Sequence, residues 1–169
     1  MSLKRFILVA DNIRSLENVG SLFRIADAFG AEAIYIVGIS GYPDMGEKDA
    51  RRQWLRDKNT KAIKKSGLSG LTSIPFTYFA TIEECLQEIR RKNYSIVSIE
   101  QQEKSVKLET VKSVPFPCCL IFGNEVTGVS QKFLDDSDLI LEITQYGQGK
   151  SLNVSVCAGI TCYILTHLV

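Results

Sequence analysis

Short apolar runs recur along the chain at 6–10, 33–37, 76–80, 95–99, 118–122 and 139–143. They are mostly β-branched or aromatic, the pattern of strands buried on both faces. Between them lie segments of helical period. In 17–29, the side chains of Val19, Leu22, Phe23, Ala26 and Phe29 share one face, and Gly30 supplies a stop. Thr81 and Glu84 stand at the spacing of a capping box ahead of Leu86 and Ile89. This alternation predicts an α/β fold built on a mostly parallel sheet flanked by helices. The last segment, 152–168, is apolar nearly all round and too long for a typical strand. It predicts a largely buried helix, with Ser151 as N-cap and Gly159 allowing another backbone to approach. Two stretches interrupt the plan: 38–70 is polar and basic, and 101–117 carries mixed charge and two prolines.

Length and composition narrow the class. A chain of 169 residues suits a single domain spanning 1–169, and 45% hydrophobic with 23% charged residues argues against disorder or a coiled coil. No apolar run reaches the ~18 residues of a membrane span, and no signal-peptide pattern opens the chain, so a cytoplasmic protein is expected. The five cysteines form no C-x-x-C pair and lie mainly in apolar segments, where a thiol acts as a small hydrophobe. With His167 as the one histidine, neither a His-rich metal cluster nor a Ser-His-Asp triad is easily assembled. No metal is expected.

Chemistry is therefore sought in the loops at strand ends, where open α/β sheets bind ligands. Gly149-Lys150-Ser151 resembles the end of a phosphate loop, but Thr144 occupies the position of its first glycine. The turn after the first strand contains Asn18-Val19-Gly20 and lacks the G-x-G-x-x-G dinucleotide fingerprint. Three other patterns do stand in order at strand ends. They are Asn18-x-Gly20-x-x-x-Arg24-x-Ala26, Phe122-Gly123-Asn124-Glu125-x-x-Gly128 and Gly147-x-x-x-Ser151-Leu152-Asn153-Val154-Ser155. Together they resemble the SpoU family of the SPOUT RNA methyltransferases over nearly the whole chain. The third departs from the usual pattern at Thr144 and Gln145, where proline and methionine are common.

The resemblance implies a C-terminal deep trefoil knot, a homodimer whose active site is completed by the partner chain, and transfer of a methyl group from S-adenosylmethionine to an RNA ribose 2′-hydroxyl. It assigns Arg24 to phosphate binding and activation of the hydroxyl, Asn18 to orienting Arg24 or the ribose, and Gly20 to leaving room for the substrate backbone. Glu125, Ser151 and Asn153 become active-site residues, with Glu125 contacting Asn153, Arg24 or the RNA. Backbone near Ile99, Gly123, Ile143, Ser151 and Leu152 would hold the cofactor. Read without the family, Arg24 could be a solvated partner of Asp27, and Ser151 and Asn153 could be helix caps.

Net charge is +1, so the distribution of charge matters more than its sum. Residues 51–65 hold Arg51, Arg52, Arg56, Lys58, Lys61, Lys64 and Lys65 against one acid, Asp57, with Trp54 among them. Such a stripe could neutralise phosphates while Trp54 stacks on a base, or it could be a solvated helix. The reading adopted is an RNA ribose 2′-O-methyltransferase acting on tRNA rather than ribosomal RNA, because no appended RNA-binding domain is seen. The alternatives are a ribosomal RNA methyltransferase, a non-catalytic RNA-binding protein of the same fold, and an enzyme of small nucleotides.

Overall fold

The computed structural model describes residues 4–149 and 151–168. Its strands are β1 (Phe6–Asp11), β2 (Ala33–Val37), β3 (Phe76–Phe79), β4 (Ser95–Ile99), β5 (Val106–Lys107), β6 (Cys118–Phe122) and β7 (Leu139–Glu142). They form one sheet in the order β3-β2-β1-β6-β4-β7-β5, with every pairing parallel. All the apolar runs became strands, but those at the margins are less enclosed than expected: Thr77 of β3 is exposed and β7 is mostly half-buried. The two-residue β5 was not predicted, since no periodicity can be read from so short a segment.

Helices α1 (Leu16–Phe29), α2 (Gln53–Gly67), α3 (Gly70–Ser73), α4 (Ile82–Arg91), α5 (Gln131–Asp135) and α6 (Val154–His167) cover the two faces. Alternation along β1 sorts the core. Phe6, Leu8 and Ala10 pack beneath α1, α2 and α6, while Ile7 and Val9 pack beneath α4 and α5. The ends of α1 are set locally: the Ser15 side chain accepts from the Asn18 amide, and Gly30 closes the helix at φ 68°. At α4 the Thr81–Glu84 capping box forms as predicted. Burial of the Cys118 and Cys162 thiols pushes each up to about 12, which keeps them protonated and unreactive.

Three expectations change. First, the basic interruption at 38–70 contains α2, which lies directly on α1. A Cβ on Gly20 would come within 2.1 Å of Ser66 Oγ and 2.4 Å of the Ile63 carbonyl oxygen. Gly20 thus serves helix packing, and no room for a substrate backbone exists there. Second, the N-cap of α6 is Asn153, whose side chain accepts from the Ser155 amide, so Ser151 lies outside the helix. Third, α6 is buried on one side alone. Ala158, Cys162 and Leu165 face the core, whereas Val156 and Tyr163 are exposed and a Cβ on Gly159 would meet nothing within 4 Å. The 101–117 interruption supplies the other wall of that helix, through buried Leu108 and Val114. No helix among the described residues is long and apolar enough to cross a membrane.

Because the backbone of α2 presses on Gly20, Gly20→Ala is expected to destabilise the fold by about 1–3 kcal/mol through overpacking. Urea unfolding of the variant against the native protein measures it.

Candidate active site

The carboxyl ends of β4, β6 and β7 open on a cleft of about 780 Å³. That volume is within the usual range for small-molecule sites, and the cleft lies where the strand order reverses between β1 and β4. Its wall includes Ile99, Gly123, Ile143, Ser151 and Leu152, the positions to which the sequence assigned a cofactor. Glu125 and Asn153 line it too.

The loop after β6 is shaped by its glycines. Asn124 and Gly128 exchange two backbone hydrogen bonds, of 3.0 and 2.9 Å, which fold 124–128 into a tight hairpin. A Cβ on Gly123 would come within 2.2 Å of both the Gly128 carbonyl carbon and the Val129 nitrogen, so only glycine permits the closure. The Asn124 side chain accepts from the Val126 and Thr127 amides and donates to the Asn12 carbonyl oxygen at 2.6 Å. The hairpin is thereby fixed from within and tied to β1.

Glu125 projects from this hairpin to the start of α1. Its carboxylate accepts from the Arg14 and Ser15 amides, each at 3.0 Å, and from Asn18 Nδ2 at 2.9 Å. Asn18 in turn accepts at Oδ1 from Asn153 Nδ2 at 3.1 Å. The run Glu125, Asn18, Asn153 and Ser155 joins all three sequence motifs through side-chain hydrogen bonds. Each amide has its orientation dictated: Asn18 must turn its NH2 toward the carboxylate. Partial desolvation works to raise the Glu125 pKa, but the donors from Arg14, Asn18 and Ser15 outweigh it and leave the pKa below the ordinary glutamate value. The sequence reading had Glu125 touching Asn153, Arg24 or RNA; within this chain it holds Asn18 and reaches Asn153 through it.

Arg24 lies apart from this run. It is exposed on α1, outside the cleft wall, about 9 Å further along the helix than Asn18 at 1.5 Å per residue. Among the described residues it forms no ion pair, and Asp27 instead accepts from Ser69 and Ser73. The bland pairing of Arg24 with Asp27 is therefore absent.

The basic stripe divides in two. Arg51 is expected from sequence to meet RNA, but its guanidinium is occupied by Asp49 at 2.6 Å and by the Tyr42 and Pro43 carbonyls, and it lies 3.4 Å from the Tyr42 ring centre. Asp49 has no exposed side-chain surface, and the Arg51 hydrogen bonds hold its carboxyl well below the usual range. Arg56 likewise turns inward to Asp44. A sequence cannot reveal that these cations are spent on a loop. Arg52, Lys61, Lys64 and Lys65 remain exposed, and Trp54 is 59% exposed.

Sequence reasoning missed Glu100. Its carboxylate accepts from the Val129 amide at 2.8 Å and lies against Gly128, which adopts φ 72°. Its place just after β4 was the available signal. Thr144 is hydrogen-bonded to Glu109, so the departure in the third motif is anchored to the 108–110 turn. Lys150, part of the rejected phosphate loop, lies outside the described residues. No group of three potential metal ligands occurs among the described residues.

Fold and site together define an α/β protein with a parallel sheet and a cleft at the carboxyl ends of its strands, and the SpoU/SPOUT structures that share this fold carry a C-terminal knot. Residues 5–163 match the SpoU rRNA Methylase family, and the chain belongs to that family. It is 27% identical over 164 residues to the tRNA (guanosine(18)-2'-O)-methyltransferase of Aquifex aeolicus, covering 95% of this chain and 68% of that protein. It is 29% identical over 161 residues to a 23S rRNA (guanosine(2553)-2'-O)-methyltransferase of Bacillus subtilis, covering 95% and 58%. The tRNA (guanosine(18)-2'-O)-methyltransferase of Saccharomyces cerevisiae is 25% identical over 162 residues, which are 95% of this chain and 10% of that one. The chain thus spans between a tenth and about two thirds of these relatives. Among solved structures, the A. aeolicus TrmH/SpoU tRNA modifying enzyme superposes with a TM-score of 0.76 at 25% identity, covering 98% of this chain and 75% of that one. An AdoMet-bound rRNA methyltransferase from Sinorhizobium meliloti gives 0.71 at 23% identity, covering 95% and 55%.

The lowered Glu125 pKa carries a pH signature. A depressed carboxylate contributes stability that is complete above its unfolded pKa and lost as pH falls through the folded one. Glu125→Gln is therefore expected to have a lower Tm than the native protein at pH 7. That difference should shrink as pH falls below about 4, in thermal melts recorded across the range.

Proposed function

We propose that this chain is an S-adenosylmethionine-dependent RNA ribose 2′-O-methyltransferase whose substrate is tRNA in preference to ribosomal RNA. The observation that carries the reading is the hydrogen-bonded run from Glu125 through Asn18 to Asn153, set at the mouth of a cofactor-sized cleft. Relatives named for tRNA guanosine 18 favour tRNA, and the B. subtilis relative supplies the ribosomal alternative.

The residues present fit the cofactor. Ile99, Phe122, Ile143 and Leu152 offer apolar walls suited to adenine, while Glu100 and Glu142 offer carboxylates suited to ribose hydroxyls and an ammonium group. When bound, S-adenosylmethionine supplies an electrophilic methyl group on a sulfonium centre. The protein must then place a ribose hydroxyl in line with it and favour loss of the hydroxyl proton. Glu125 and Asn18 hold the first turn of α1 and Asn153 in one geometry, which is the positioning part of the task. Arg24 supplies positive charge for the phosphate beside the ribose and for the developing alkoxide. A guanidinium is a five-fold hydrogen-bond donor with no acceptor, so its contribution is electrostatic before it is proton-accepting.

The separation of Arg24 from the cleft gives the homodimer a chemical purpose: Arg24 of one copy serves the cleft of the other. The exposed Val156 and Tyr163, with open space over Gly159, offer a face of α6 on which two copies can meet. Arg52 at the start of α2 and Lys61, Lys64 and Lys65 along it track the RNA backbone, and Trp54 stacks on a base.

Incubation with labelled S-adenosylmethionine and unmodified tRNA or ribosomal RNA, followed by alkaline hydrolysis, tests the reading. Label is expected in an alkali-resistant dinucleotide from tRNA, with Arg24→Ala reducing kcat by about 10²-fold or more. Absence of cofactor binding would favour a non-catalytic RNA-binding protein, whereas cofactor binding without transfer to either RNA would point to a missing substrate or partner. Replacing Lys61, Lys64 and Lys65 together by Ala is expected to weaken RNA binding and to flatten its salt dependence by about one slope unit per lost phosphate contact. Cofactor affinity should be unchanged, as calorimetry would show.

A further inference from the structure

At the carboxyl end of β1, Asn12 adopts a left-handed backbone conformation with φ 55°, unusual for a residue other than glycine. Its side chain and backbone reach two separate loops, one after β2 and one, at two points, after β6. Nδ2 donates to Asp11 Oδ1 at 2.8 Å and to Ser130 Oγ at 3.3 Å. Oδ1 accepts from the Ile39 amide at 3.1 Å, just beyond β2. The backbone carbonyl accepts from Asn124 Nδ2, the residue beside Glu125. The opposing loop is shaped to match: Gly38 also has positive φ, at 65°, and a Cβ there would lie 2.2 Å from Asn12 Oδ1.

The far side of this junction is equally fixed. Asp11 is fully buried, and its carboxylate accepts from the Ser130 amide at 2.7 Å and from Ser130 Oγ at 2.9 Å. Since Ser130 Oγ gives its proton to Asp11, it can only accept from Asn12, which dictates the amide orientation of Asn12. The hairpin bearing Glu125 is thus gripped at Asn124 and again at Ser130, both times through residues 11 and 12. Nothing else among the hydrogen bonds of the described residues ties both ends of that hairpin to β1.

We propose that Asn12 is a positioning residue that sets where Glu125 meets Arg14, Ser15 and Asn18. Asn12 acts through Glu125 and touches no reacting atom. Its consequence for catalysis rests on the methyltransferase reading above, but its effect on the hairpin does not.

The test uses Asn12→Gly, which keeps the left-handed backbone and deletes the side chain, and Asn12→Ala, which disfavours both. Amide hydrogen exchange is followed in the protein without cofactor. Asn12→Gly is expected to speed exchange at residues 14–15 and 126–130 by about tenfold or more while β1, β2 and β6 exchange as in the native protein. Transfer assays should show kcat reduced by about 10–100-fold with KM for RNA little changed, and no further loss when Asn12→Gly is added to Glu125→Gln. Native exchange at the hairpin in Asn12→Gly would overturn the proposal, as would acceleration spread over the whole sheet. Full additivity with Glu125→Gln would overturn the route through Glu125. If the native protein transfers no methyl group, the methyltransferase reading fails while the exchange result still decides the role of Asn12.

Discussion

A single carboxylate ties the active region together. Glu125 arises from a hairpin at the end of β6, yet its donors are the Arg14 and Ser15 amides and the Asn18 side chain at the start of α1. Those amides would otherwise depend on water, and the partial positive charge of the helix start favours an anion there. The contact joins segments 110 residues or more apart in sequence for Ser15 and Arg14. The contact fixes the first turn of α1 directly against the wall of the cleft. Asn153 then registers the third loop against the first through Asn18.

The same economy governs the scaffolding around it. Gly123 exists for the close return of the 128–129 backbone, and Gly128 for a left-handed turn against Glu100. Gly20 allows α2 to lie on α1. Each glycine of the first two motifs therefore has a packing partner in this chain, whereas Gly147 of the third faces open space, and the polar residues around Glu125 sit on backbone that has little freedom to move.

Charge is used in two distinct ways on the 38–67 segment. Arg51 and Arg56 are absorbed by Asp49 and Asp44 to stabilise a loop with no strand or α-helix of its own, and Tyr42 stacks on Tyr78 beside them. The lysines of α2 are left to solvent. Cations alike in sequence are thus divided between loop structure and an open basic face. The partition follows from the position of the acids at 44 and 49, which lie outside the basic run itself.

Much of this protein was determined locally and could be read in advance. The β-branched runs became strands, and the Thr81–Glu84 box and Gly30 set helix ends where predicted, because these depend on periodicity and on hydrogen bonds within a few residues. The ordered motifs also named the residues around the cleft. Tertiary structure alone decided that Glu125 grips Asn18, that Arg51 is spent on Asp49, that Gly20 packs against α2, and that one side of α6 stays open. It also decided the junction at Asn12 and Ser130, whose side chains lie 118 residues apart along the chain. Such contacts depend on sheet order and on which loops it brings to one edge. No local pattern of hydrophobic and polar residues encodes that order.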